Sequence, residues 1–325
     1  MRFLLRSVAL LPALALCACP SEPIAIAEAA PGSATVVTAA TAAPGKPPPL
    51  RSAPAPTAAV VGEPALGYPW LADPGAPVPE GVLAQRFSPP PGFTRVELAP
   101  GSFGAWLRVL PLAPPGTPVR SFRGGVILPP DHESLAAVAA IDVGAADLQQ
   151  CADSVIRLHA EWLFAQGRRD ASYRAASGAA MPFERWAKGE RMVPAGQGFT
   201  WSPSARADAG HGSYRRWLDA VFNWANTGSL ARDSEPVAAA DLHPGDFVVQ
   251  AGAPGHAVLV LDLARAPDGR RALLLGQGYM PAQSFHVLRP GRGSAWFIVE
   301  PGALFLDTPF WAPFPWKALH RFAGT

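Results

Sequence analysis

Lysine is nearly missing: Lys46, Lys188 and Lys317 are three of 27 basic residues, and charged residues are only 16% of a 325-residue chain with net charge +2. So thin a supply assembles no basic stripe of the kind that grips a phosphate backbone, so a nucleic-acid binder is not expected. Cysteine is equally scarce, at Cys17, Cys19 and Cys151, which excludes a disulfide-stapled scaffold. Uninterrupted helical sequence is lacking too, because 38 prolines and 31 glycines make up about a fifth of the chain. That argues against a helical bundle. The seven histidines include no pair at the three- or four-residue spacing of a helical zinc site, and Gly196-x-Gly-Phe and Gly276-x-Gly-Tyr lack the third glycine and the strand–turn–helix setting of a nucleotide loop. No metal and no cofactor is expected. What the chain does have is apolar residues, 49% of the total, enough for a sizeable core.

The N-terminus runs basic (Arg2, Arg6), apolar (Ser7 to Leu16), then Leu16-Cys17-Ala18-Cys19. An apolar run this short suits the h-region of an export signal rather than a span. Leu16 to Cys19 resembles the bacterial lipobox, which implies that residues 1–18 are a lipoprotein signal peptide, that Cys19 carries the lipid, and that the protein is membrane-anchored in the cell envelope, facing the periplasm. An ordinary cleaved signal is the alternative. Residues 20–64 hold ten prolines, thirteen alanines and no aromatic residue, so 19–65 reads as a disordered Pro/Ala-rich tether and 66–325 as a single α+β domain. In an oxidising compartment the remaining thiol, Cys151, is either buried and inert or kept for its chemistry.

Within the domain, Gly92 to Leu98 suggests a short strand, Ser102 caps a helix over Phe103 to Val109, and Leu135 to Val143 is an apolar run of strand length. The strongest helical pattern covers about Ala146 to Gln166, which places Cys151 past its first turn. Residues 168–212 read as an irregular cover. A second helix is expected from Tyr214 to about Ala225, ended by Asn226-Thr-Gly228. The period then changes to two: Phe247 to Val249, His256 to Asp262, a turn at Ala266-Pro-Asp-Gly269, Ala272 to Gln277, Ser284 to Leu288 and Ala295 to Val299.

Cys151 near a helix start, His256 opening a strand and Gln277 on the next strand form the arrangement of a thiol nucleophile, its imidazole partner and a group that orients the imidazole. The hairpin register brings both Gln277 and Tyr279 beside His256. Asp241-Leu-His-Pro-Gly-Asp246 followed by Gly255-His256-Ala-Val-Leu-Val-Leu-Asp262 resembles the second half of NlpC-type and CHAP-type cell-wall hydrolases, and Gln150-Cys151-Ala-Asp-Ser-Val155 is similar to their cysteine-bearing helix start. A closer resemblance, from about Arg86 to Phe322, is to bacterial proteins known as domain of unknown function 4846. It rests on Asp142-Val-Gly144, Asp147 to Leu158, Pro254-Gly-His-Ala-Val258 and Tyr279-Met-Pro-Ala-Gln283.

The first resemblance implies a papain-like α+β fold with the main helix packed on an antiparallel sheet. It also implies a cysteine hydrolase or acyl transferase acting on amide bonds of the envelope, such as peptidoglycan peptides. Cys151, His256 and Gln277 would then be catalytic, with Gln150, Tyr279 and Gln283 binding substrate and Gln150 assisting the oxyanion. The other readings stay open. Cys151 is also a small core residue on an apolar helix face, His256 a strand-end histidine satisfied by backbone, and Gln277 a glutamine bonded to loop backbone. On those readings the protein is a non-catalytic lipoprotein that binds an envelope polymer or protein through a Trp- and Tyr-lined groove.

Overall fold

A computed structural model describes residues 67–325. The expected signal peptide, the lipid site at Cys19 and the tether lie outside the described residues. Nine strands form one sheet: β1 (Thr94–Arg95), β2 (Leu135–Val138), β3 (Glu235–Pro236), β4 (Phe247–Gln250), β5 (His256–Arg265), β6 (Arg271–Gln277), β7 (His286–Leu288), β8 (Phe297–Val299) and β9 (Leu319–Arg321). Their order is β2-β7-β6-β5-β4-β9-β3, with β1 added on β5 and β8 on β6, and every ladder is antiparallel. The longer helices among the described residues are α1 (Phe103–Arg108), α2 (Cys151–Ala165), α3 (His211–Phe222) and α4 (Thr227–Arg232), whose apolar side chains share a core with the sheet. The fold is mixed α/β, with a mostly antiparallel sheet and few helices.

Both faces of the sheet are covered. Val249, Ala257, Leu259, Leu261 and Leu274 share one core with Phe103, Val155, Ile156, Trp217 and Leu230 of the helices. On the other face Val258, Val260, Leu273 and Leu275 pack with Leu306, Phe314 and Trp316 from the C-terminal segment. That double cover explains why β5 is a continuous apolar run, buried from His256 to Ala264. A bulge between Val260 and Asp262 shifts the β5–β6 register, and the buried Asp262 carboxylate meets Arg95 at 2.6 Å and Arg108 at 2.8 Å. The hairpin turn falls at Ala266 to Gly269, with Gly269 at φ +89° supplying the left-handed residue. In the Pro-Gly-Asp turn before β4, Asp246 accepts the His243 amide at 2.8 Å and pairs with Arg321 at 2.6 Å.

Several local expectations need correction. The main helix begins at Cys151, not near Ala146. Residues 146–150 instead make tight turns, with Leu148 N–H to Ala146 O at 2.9 Å and Gln150 N–H to Leu148 O at 2.8 Å. Polar side chains hold that segment out of the helix: Gln149 bonds Arg157, and Asp147 accepts from the Ala282 amide. Asn226 does not end a helix but caps α4, accepting the Ser229 amide at 2.8 Å. Residues 168–212 are not irregular: they fold into two hairpins, Ser172–Arg174 with Ala180–Pro182 and Glu190–Ala195 with Gly198–Pro203, flanking a short helix, Phe183–Ala187. The strand expected over Gly92 to Leu98 shrinks to Thr94–Arg95, and the one over Leu135 to Val143 to Leu135–Val138.

Candidate functional site

Cys151 is the first residue of α2, so its sulfur sits where the backbone N–H groups of a helix have no intrahelical acceptor. Gln150 is the N-cap, and the Asp153 carboxylate reaches back to accept its N–H at 3.2 Å. The end of β6 closes on this turn because Gly278 has no side chain: a Cβ there would lie 2.2 Å from Ser154 Oγ and 2.8 Å from Gln150 O. Burial leaves Cys151 5% exposed and, with the Asp153 carboxylate, pushes its thiol up to about 11, against the pull of the Ala152, Ala257 and Cys151 amides. A thiolate is therefore not the resting species near neutral pH. The Ala257 amide at the sulfur belongs to the residue following His256, so the start of β5 lies against the start of α2.

His256 is fully buried, and its Nε2–H donates to Gln277 Oε1 at 2.7 Å. Its Nδ1 is buried and has no partner, and no hydrogen bond joins it to Cys151. Aromatic rings enclose the imidazole: Tyr279 edge-on at 5.0 Å between centroids, Trp311 at 4.9 Å and Phe314 at 6.1 Å. Burial pulls its pKa down to about 4, with the Gln277 bond opposing. At neutral pH the pair is thus an uncharged thiol and an uncharged imidazole. Beyond Gln277 lies a residue that no sequence motif marks: His286, paired with Gln277 across β6 and β7, whose Nε2 stands 3.4 Å from Gln277 Nε2. Strand register alone signals it, since a residue opposite Gln277 on the adjoining strand has to be within reach.

A cleft of about 590 Å³ opens at the α2 start, lined by Asp147, Gln150, Cys151 and Asp153 on one side, Asn223, Asn226 and Thr227 on another, and the 252–255 loop and Met280 on the rest. None of its lining residues is basic. Of the expected binding residues, Gln150 lines this cleft and Tyr279 and Gln283 do not. Gln150 gives one N–H of its side-chain amide to Asp147 Oδ1 at 3.0 Å and keeps the other free. Tyr279 turns its hydroxyl to Phe310 O at 3.0 Å and its ring to His256. Gln283 is buried at a bridge with Ser121 and does not line the cleft. Among the described residues no group of three or more histidines, cysteines or carboxylates gathers as metal ligands, and no helix is long and apolar enough to cross a membrane.

Residues 83–321, nearly three-quarters of the chain, match the family model described as Domain of unknown function (4846), and the chain belongs to that family. No match was found among curated proteins or among solved structures.

Proposed function

We propose that this protein is a thiol hydrolase or acyl transferase with a papain-like arrangement of Cys151, His256 and Gln277, acting on amide bonds of the cell envelope such as those of peptidoglycan peptides. One observation carries the reading. The Gln277 oxygen takes the Nε2–H of His256, so the unpartnered Nδ1 is a bare lone pair, buried at the start of the strand whose next amide, that of Ala257, acts to lower the Cys151 pKa. A buried nitrogen left without a partner costs roughly 1–3 kcal/mol, and a base waiting for a proton is a reason for that cost.

Because thiol and imidazole are both neutral at rest, His256 acts as a general base rather than as half of an ion pair. As the sulfur attacks the amide carbon, the thiol proton passes to His256 Nδ1 and a C–S bond forms. Charge builds on the carbonyl oxygen, which the Cys151 amide at the open helix end stabilises. The imidazolium then gives its proton to the amide nitrogen as the C–N bond breaks, leaving a thioester. Water, or an amine in the transferase case, attacks the thioester and returns the thiol. The Leu16 to Cys19 pattern supports a lipid-anchored, periplasm-facing protein whose tether lets the domain reach the polymer.

The burial of the thiol favours the second reading, an envelope-binding lipoprotein that keeps this cleft without chemistry. Peptidoglycan-derived peptides incubated with the full chain separate the two. Hydrolysis predicts newly freed amines by mass spectrometry and an acyl adduct on Cys151, both lost in Cys151→Ala. Peptide binding that is equal in the two proteins, with no adduct and no new amine, overturns the hydrolase.

A further inference from the structure

His286 is fully buried, and neither motif nor family resemblance assigns it a role. Its Nδ1 lies 3.0 Å from the backbone carbonyl of Ser284. A carbonyl only accepts, so Nδ1 carries the ring proton and, in the neutral ring, Nε2 is an acceptor. That acceptor faces Gln277 Nε2 at 3.4 Å, while Gln277 Oε1 faces His256 Nε2 at 2.7 Å. Amide orientation and ring tautomer are set by such networks, and this one runs in a single direction. Resting on the hydrolase reading of the site, we propose that His286 is a positioning residue: it selects the orientation of the Gln277 amide and, through it, the Nε2–H tautomer that leaves His256 Nδ1 free to take the Cys151 proton.

The alternative orientation shows why a selector is needed. With the amide turned over, Gln277 would present its NH₂ to His256 Nε2. That nitrogen would have to be bare, and the proton would sit on Nδ1, which could then no longer accept one. A glutamine held only by His256 can take either orientation, since both make one hydrogen bond. With His286 fixed by the Ser284 carbonyl, the turned amide would set Oε1 against a bare Nε2, two acceptors in a sealed space. Burial pulls the His286 pKa down to about 4, which keeps the ring neutral and its Nε2 bare through the neutral range. The same burial excludes water that would otherwise substitute for either partner.

The full chain labelled with ¹⁵N at histidine, each ring assigned by comparison with single variants, tests this without any substrate. The unaltered protein should show His286 as Nδ1–H and His256 as Nε2–H. His286→Leu should shift the His256 ratio toward Nδ1–H by roughly fivefold to tenfold, the worth of one net hydrogen bond. His286→Gln, whose amide oxygen restores an acceptor, should return the ratio toward that of the unaltered protein. An Nε2–H tautomer at His286 in the unaltered protein overturns the proposal even if the Leu variant does not fold, and so does an unchanged His256 ratio in a folded His286→Leu protein. A positive tautomer result beside a catalytically silent Cys151 would show the relay to be right and the hydrolase reading to be wrong, so the two fail separately.

Discussion

Two buried polar networks in the domain have opposite character. In the middle of α2 each nitrogen of the Arg157 guanidinium has a partner: Glu161 at 2.8 Å, Gln149 at 2.9 Å and Asp142 at 2.8 Å. Glu161 passes the charge on to His211, which lies 2.8 Å from it and 2.8 Å from Asp73, and Asp142 also meets Arg215. The other network, from Ser284 through His286 and Gln277 to His256, carries no charge and ends on an atom with no partner. The first network is ionic and ties neighbouring elements together, whereas the second is neutral and leaves one ring nitrogen open.

Breaking the ionic network should give the largest effect. Arg157→Met leaves Glu161 buried without its guanidinium and should cost about 3–5 kcal/mol in urea unfolding. Gln277→Leu strands two ring nitrogens but no charge. A loss of about 1–3 kcal/mol is expected, with acylation of Cys151 slowed at least tenfold; an unaffected acylation rate would remove Gln277 from the site.

Acid sharpens the comparison further. Burial holds His256 and His286 near 4 and His159 near 3, so between these values and about 6.5 they bind more protons unfolded than folded. Their contribution is whole above pH ~6.5 and lost as pH falls toward 4. His211 runs the other way: burial opposes its charge, but Glu161 and Asp73 outweigh it and raise its pKa, so its contribution is whole below pH ~6.5 and lost as pH rises through the raised value. Thermal unfolding should therefore show Tm dropping several degrees between pH 6.5 and 4.5. His159→Phe, which keeps the stacking on Phe322, should flatten that slope; an unchanged slope would mean His159 is protonated in the folded state. The smallest effect belongs to Tyr279→Phe, which gives up a half-exposed hydroxyl contact and should change stability by at most about 0.5 kcal/mol while leaving acylation within twofold.

How much of the molecule is legible in its sequence depends on the range of the forces involved. The β5–β6 hairpin is legible because Ala266-Pro-Asp-Gly269 punctuates two apolar runs, and its register puts Gln277 and Tyr279 beside His256. The start of α2 is not, because bonds from Arg157 to Gln149 and from the distant Ala282 amide to Asp147 override an apolar period that continues back to Ala146. The two hairpins in 168–212 are hidden for a related reason. The longer, over Glu190–Ala195 and Gly198–Pro203, carries prolines in both strands and few fully buried side chains, which erases the period-two signal. The depressed His256 comes from burial that Trp311 and Phe314 share in, neither of which is adjacent to it in sequence.

The rate of Cys151 acylation by a small active ester, followed from pH 3 to 9 in the full chain and in His256→Ala, tests the central claim most directly. With His256 as a base of depressed pKa, the rate should rise through about pH 4 and then stay flat across the neutral range, and His256→Ala should abolish the plateau. A rate that instead climbs tenfold per pH unit through neutrality, as for an unassisted thiol held near 11, and is the same in both proteins, would contradict it.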